Sequence, residues 1–349
     1  MPSLTRWLSS LGLNESDPAS DYPGSKLIPT ENSAPGTSTT YYLAPFLPTD
    51  IPSRASLIHT IPPPNRSQIQ PSGSLHFGFT HPSPSHPPTA FFFSCVPDPI
   101  GFLAHSASFI RSRLGTGSAG PSKWRHNRLH LILEDKPGLA YTSGGLIHIS
   151  LQWAGDVMRE VQTGGRDHAS AVKEFKGVLL HELVHAIQYD GHGTAPTWLT
   201  ESIADFVRLQ AQLGPDHWRH PGQGKAERGW EDGYDAGAQF LSWVVGATGA
   251  EDKAAPAETL DPTPTRSAPV SHGDVPPPQS TQYPVDPRPP GPAPEPKTGS
   301  TRPGPWPDLV KRLNASLEHG RYTDKCWGDL TGQRGGLEGL WEAYLGHYR

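Results

Sequence analysis

The stretch VLLHELVHAIQYDGHGTAPTWLTESIADFVR, Val178 to Arg208, restricts what this chain can become more than any other. Apolar Phe175, Leu179, Leu183 and Ile187 recur at helical spacing, and Gly191 supplies a stop signal. On that helix His181 and His185 lie four apart on one face, so both imidazoles can meet one metal ion. Glu182 is rotated off that line but within reach of a water at an open coordination position. This is the arrangement of a zinc hydrolase with a glutamate base. A second helical pattern starts near Thr197, carries Glu201 and Asp205 one turn apart, and ends at Gly214-Pro215. Two facing helices that bring His181, His185 and Glu201 together complete three protein ligands and leave the fourth position for water.

The third ligand has two candidates. His192 follows Gly191 at the end of the first helix, and in the metzincin pattern a glycine turn brings a third histidine to the metal. That pattern wants Gly three residues after the second histidine, where this chain has Gln188, and His six after, where it has Gly191. Glu201 fits better, because the Gly-His-Gly-Thr-Ala-Pro loop can reverse the chain and set the second helix antiparallel to the first. Asp205 on the same face then hydrogen-bonds a ligating imidazole and fixes its tautomer, a task the His192 arrangement leaves unexplained.

The run HELVHAIQYDGHGTAPTWLTESIADFVRLQA resembles the plant basic secretory protein family, a branch of the zincin metallopeptidases closest in logic to the gluzincins. The resemblance extends through LHLILEDKPGLAYTSGGLIHISLQW and WEDGYDAGAQFLSWV, then resumes in LVKRLNASLEHGRYTDKCWGDLTG and LEGLWEAYLGHYR. It implies hydrolysis of a peptide bond in a peptide or protein substrate, with Zn2+ held by His181, His185 and Glu201. Glu182 would take the water's proton and hand it to the leaving amine. Tyr234, in a segment similar to the family's W-x-x-G-Y, is the candidate that stabilises the oxyanion. Its plain alternative is a buried tyrosine bonded to backbone. In zincins the strand bordering the cleft pairs with extended substrate, and the resemblance assigns this to Leu139–Ser143. A metal-stabilised binding or defence module without turnover is the rival reading, and the intact Glu182 argues against it, because a structural zinc needs no base.

Charge gives no further guide. A formal net charge of −5 and the lack of a long Lys/Arg run argue against a nucleic-acid partner, although relatives carry the word "basic" in their family name. No run approaches the roughly 18 apolar residues of a membrane span, and no secretory signal is evident in MPSLTRWLSSLGLNESDPAS. A cytoplasmic protein is therefore expected, in conflict with the secreted plant relatives. Cys95 and Cys326 are read as two isolated thiols.

Most of the forty prolines crowd into two places, which divides the chain. Residues 1–73 read as Pro/Ser-rich and irregular, 74–245 as the peptidase core, 246–305 as a Pro-rich insertion, and 306–349 as helices completing the same domain. A docking tract for a proline-reading domain is the functional alternative for the insertion. Within the core, LHFGF and AFFFSCV read as short strands, with His81 and His86 in a solvated loop between them. A helix follows at Gly101–Leu114, then strands at Arg128–Glu134, Leu139–Ser143 and Leu146–Leu151, the last two joined by a Gly144-Gly145 turn. His217 and His220 read as solvated loop residues, and Glu231–Val245 as a third helix. The expected fold is α+β and zincin-like: a small, mostly antiparallel sheet packed on the HELVH helix, with a helical C-terminal subdomain.

Overall fold

A computed structural model describes residues 39–43, 57–61, 75–82, 86–115, 124–126, 128–223, 229–231, 233–246 and 303–348. Among them are strands β1 (Thr39–Leu43), β2 (Leu57–Ile61), β3 (His76–His81), β4 (Arg128–Glu134), β5 (Ala140–Ser143) and β6 (Leu146–Ser150). The helices are α1 (Pro87–Cys95), α2 (Pro99–Leu114), α3 (Leu151–Gln162), α4 (His168–Ile187), α5 (Thr197–Gln210), α6 (Tyr234–Val245), α7 (Leu309–His319), α8 (Lys325–Thr331) and α9 (Gly336–Tyr348). The class is α+β. Most of the Pro-rich insertion and of the N-terminal region lies outside the described residues.

The sheet runs β2-β1-β3-β4-β6-β5 and is mixed, which corrects the expectation of a mostly antiparallel one. β1 pairs parallel with β2, β3 with β4, and β4 with β6, while β1–β3 and β5–β6 are antiparallel. The reason is connectivity. The β3-to-β4 link carries α1 and α2, long enough to bring the chain back in the same direction. The Gly144-Gly145 turn does make the expected hairpin, but its returning strand, β6, inserts beside β4, so β5 is pushed to the edge. Gly145 is obligatory there, because a Cβ would sit 2.1 Å from the Arg128 carbonyl oxygen. β1 and β2 also extend the sheet into the N-terminal stretch that composition reads as irregular.

The run AFFFSC is helical, not a strand. Pro87 and Pro88 open α1 with preset φ, and Thr89, Phe92 and Cys95 are buried at helical spacing. Phe92 packs on Phe79 and Phe175 at ring distances of 6.1 and 5.7 Å, so tertiary packing overrides the β preference of the aromatics. His81 ends β3 fully buried against Phe79 and Phe93 rather than solvated, whereas His86 is exposed. The strand expected through Leu151 stops at Ser150, whose side chain accepts from the Trp153 amide and caps α3.

One face of the sheet contributes Phe77, Phe79, Leu129, Leu131, Leu133, Ile147 and Ile149 to a continuous core that reaches Leu345 in α9. α4 packs against β5 and β6, with Leu179, Leu180 and Leu183 wholly buried. Truncating any one of them to alanine costs about 2–5 kcal/mol. α5 lies between α4 and α6. Its approach to α6 is close because Gly237 has no Cβ; one there would overlap the Ser202 hydroxyl. α7 packs on α2 and α6, and α9 on α6 and α8. The Trp306 amide donates to the Val244 carbonyl at 3.0 Å, so the chain re-enters beside the point where α6 ends. Both cysteines are free, and burial pushes the Cys95 thiol up to about 12. No helix among the described residues is long and apolar enough to cross a membrane.

Candidate metal centre

Two helix starts and one short loop place the site. Asp167 caps α4 by accepting from the Ser170 amide at 2.8 Å. The chain then reverses through Gly191, at φ 62, and His192, at φ 59. Arg125 clamps this corner, donating to the Gln188 carbonyl and to Asp190 Oδ2, both at 2.7 Å. Asn314 of α7 adds a second clamp, accepting from the Tyr189 amide at 2.9 Å. The α4–α5 angle is therefore fixed by hydrogen bonds as well as by packing.

Across that angle His181, His185 and Glu201 converge, with their ligand atoms all within 4.8 Å of one another. His181 Nε2 lies 3.0 Å from His185 Nε2 and 3.2 Å from Glu201 Oε2, and His185 Nε2 lies 3.5 Å from Glu201 Oε1. Such a group could hold a metal ion. Asp205 Oδ1 stands 2.7 Å from His181 Nδ1, on the far side of the ring. Glu182 is buried and points toward β5, where Thr142 Oγ1 is 2.8 Å from its Oε2. His192 is exposed at the loop and takes no part in the cluster. His217 is exposed and His220 partly so.

The electrostatics favour a cation. Burial by itself pushes His181 down, but the charge and hydrogen bond of Asp205, with those of Glu201, raise its pKa well above the ordinary 6.5. Burial by itself would raise Glu201, yet the His185 charge and hydrogen bonds from both imidazoles hold it far below the usual carboxylate range. Tyr234, half-buried at the start of α6, is pushed up to about 12 by burial and by the Glu201 and Asp205 charges. Its phenol therefore stays a donor at any ordinary pH. The next residue, Asp235, accepts from Arg219 Nε at 2.9 Å and from the Arg219 amide at 3.0 Å, which ties this helix start to the loop after α5.

Two contacts had no signal in the sequence beforehand. One is Thr142. The other is Gln188, almost fully buried, whose amide nitrogen lies 2.8 Å from His185 Nδ1 and 3.2 Å from the Thr200 carbonyl. A His185 that ligates through Nε2 carries its proton on Nδ1 and needs an acceptor there. Gln188 Oε1 is buried without a partner, and turning the amide would bring it to His185 Nδ1 at the cost of the bond to the Thr200 carbonyl.

A family model described as BSP, peptidase of plants and bacteria, matches residues 72–251. The matched residues take in β3 to β6 and α1 to α6, hence every residue of the cluster. The C-terminal helices, to which the resemblance also extends, lie beyond them. No curated protein and no solved structure matches.

Proposed function

The chain belongs to the BSP family of peptidases of plants and bacteria, and from that premise we propose that it is a zinc-dependent metallopeptidase of zincin-like build. The observation that carries this is the convergence of His181, His185 and Glu201 beside a buried Glu182. Two imidazoles, one carboxylate and an open fourth position make the donor set of a catalytic rather than a structural zinc site. When bound, the metal supplies Lewis acidity and lowers the pKa of a water to roughly 7.

The chain's own residues do the rest. Glu182 accepts a proton from the attacking water and returns it to the leaving amine. Asp205 accepts from His181 Nδ1–H, which fixes the ring so that Nε2 is the ligand atom aimed at the cluster. Tyr234 donates its phenolic hydrogen bond to the carbonyl oxygen as charge gathers there. β5, at the edge of the sheet among the described residues, is the strand that would pair with an extended peptide.

The test is metal dependence. Purified protein should cleave a peptide library, lose that activity on chelation and recover it with added zinc. Activity that survives complete removal of metal would end the proposal.

A further inference from the structure

β5 does more than border the cleft. Thr142 sits in the middle of it, and its hydroxyl lies 2.8 Å from Glu182 Oε2 and 2.8 Å from the Glu182 main-chain oxygen. The strand itself is held from its other face. Tyr141 stacks on His148 with ring centroids 4.3 Å apart and 6° between planes, and its hydroxyl donates to Glu134 Oε1 at 3.1 Å. His148 Nδ1 is 3.0 Å from the same carboxylate oxygen. Thr142 is thus presented to Glu182 by a strand anchored on both sides.

A hydroxyl has one proton and two lone pairs. Beside a carboxylate, that proton belongs on Oε2. When Glu182 takes the water's proton on its other oxygen, Oε2 goes on accepting from Thr142, so the carboxyl need not turn between taking the proton and giving it to the leaving amine. We propose that Thr142 is a positioning residue for Glu182, holding the base in one place while it takes up and releases its proton. The proposal rests on the metallopeptidase reading above.

The experiment compares Thr142→Val, Thr142→Ser and Glu182→Gln with wild type, in peptide hydrolysis and in metal content. Valine keeps the shape and removes the hydroxyl. It should lower kcat by about 10–100-fold, with KM within about twofold and metal stoichiometry unchanged. Serine keeps the hydroxyl and should restore kcat to within about threefold of wild type. Thr142→Ala, smaller and free of the second methyl, serves if valine impairs folding, and should show the same kcat loss. A hydroxyl-free variant that is folded and turns over like wild type would overturn the proposal. So would a serine variant as slow as valine, or a loss that appears in KM or metal content instead. Glu182→Gln separates the two levels: if it hydrolyses like wild type, the metallopeptidase mechanism itself fails. If it is inactive while Thr142→Val is unimpaired, only the Thr142 assignment fails.

Discussion

Replacing Asp205 by Asn tests the electrostatic design of the centre. Asp205 is buried, and its Oδ1 lies 2.7 Å from His181 Nδ1. The amide keeps the shape and can still accept a hydrogen bond, so what is removed is the charge. Losing an outer partner of this kind weakens metal binding by about 10–100-fold, roughly 1.4–2.8 kcal/mol. Protons complicate the measurement in a useful way. Without metal, His181 holds a proton far above its usual range, chiefly because Asp205 outweighs the effect of burial. A metal must displace that proton, so below the raised value wild-type affinity falls by about tenfold per pH unit. In Asp205→Asn the proton leaves at lower pH, and this competition weakens. The deficit of the variant should be largest at alkaline pH and should narrow steadily as the pH falls. Competition with a chromophoric chelator at several pH values reads it directly. No deficit at any pH, or a deficit that does not change with pH, would refute the reasoning.

Three other outcomes follow from the same structure. Glu201→Ala should lose stoichiometric metal and His192→Ala should keep it, since Glu201 lies within 3.2 Å of His181 and His192 is exposed; the reverse result by elemental analysis would overturn the ligand set. Deleting residues 254–302 of the insertion and joining the ends with a short flexible link should leave metal binding and activity nearly intact. The Val244–Trp306 hydrogen bond already brings the flanks together, and loss of soluble expression would contradict this. Burial holds His130 at about 3 against an ordinary 6.5, so it folds neutral and the unfolded chain gains a proton below 6.5. That contribution is intact above pH 6.5 and is lost as pH falls toward 3, by about 2 kcal/mol at pH 5. Urea melts of His130→Gln should lose correspondingly less stability between about pH 7 and pH 5 than wild type, and an equal loss would contradict the assignment.

The helix pair was legible because its signals are local. HELVH has a fixed spacing, the apolar residues around it repeat at the helical period, and Gly191 marks the turn. Strand partners were not legible, since alternation says that a segment is extended but not which neighbour it joins or in which direction. The sequence therefore identified β4, β5 and β6 as strands and the β5–β6 hairpin, but missed the parallel β3–β4–β6 arrangement. In α1 the aromatic run suggested a strand after a Pro-rich loop, but Pro87 and Pro88 open a helix there, and packing on Phe175 decided it. α3 was hidden because the apolar run of β6 continues straight into Leu151. Thr142 and Gln188 had no motif to mark them. Their contacts with Glu182 and His185 exist only once strand, loop and helix have been brought together.

The central claim is that Glu182 is the base of a metal-dependent peptidase. The most direct measurement sets Glu182→Gln beside wild type, with metal content and peptide-library cleavage taken from the same preparations. The amide keeps the size of the side chain and leaves His181, His185 and Glu201 in place. The account predicts full metal content with hydrolysis lost. Wild-type turnover by the metal-loaded variant would contradict it.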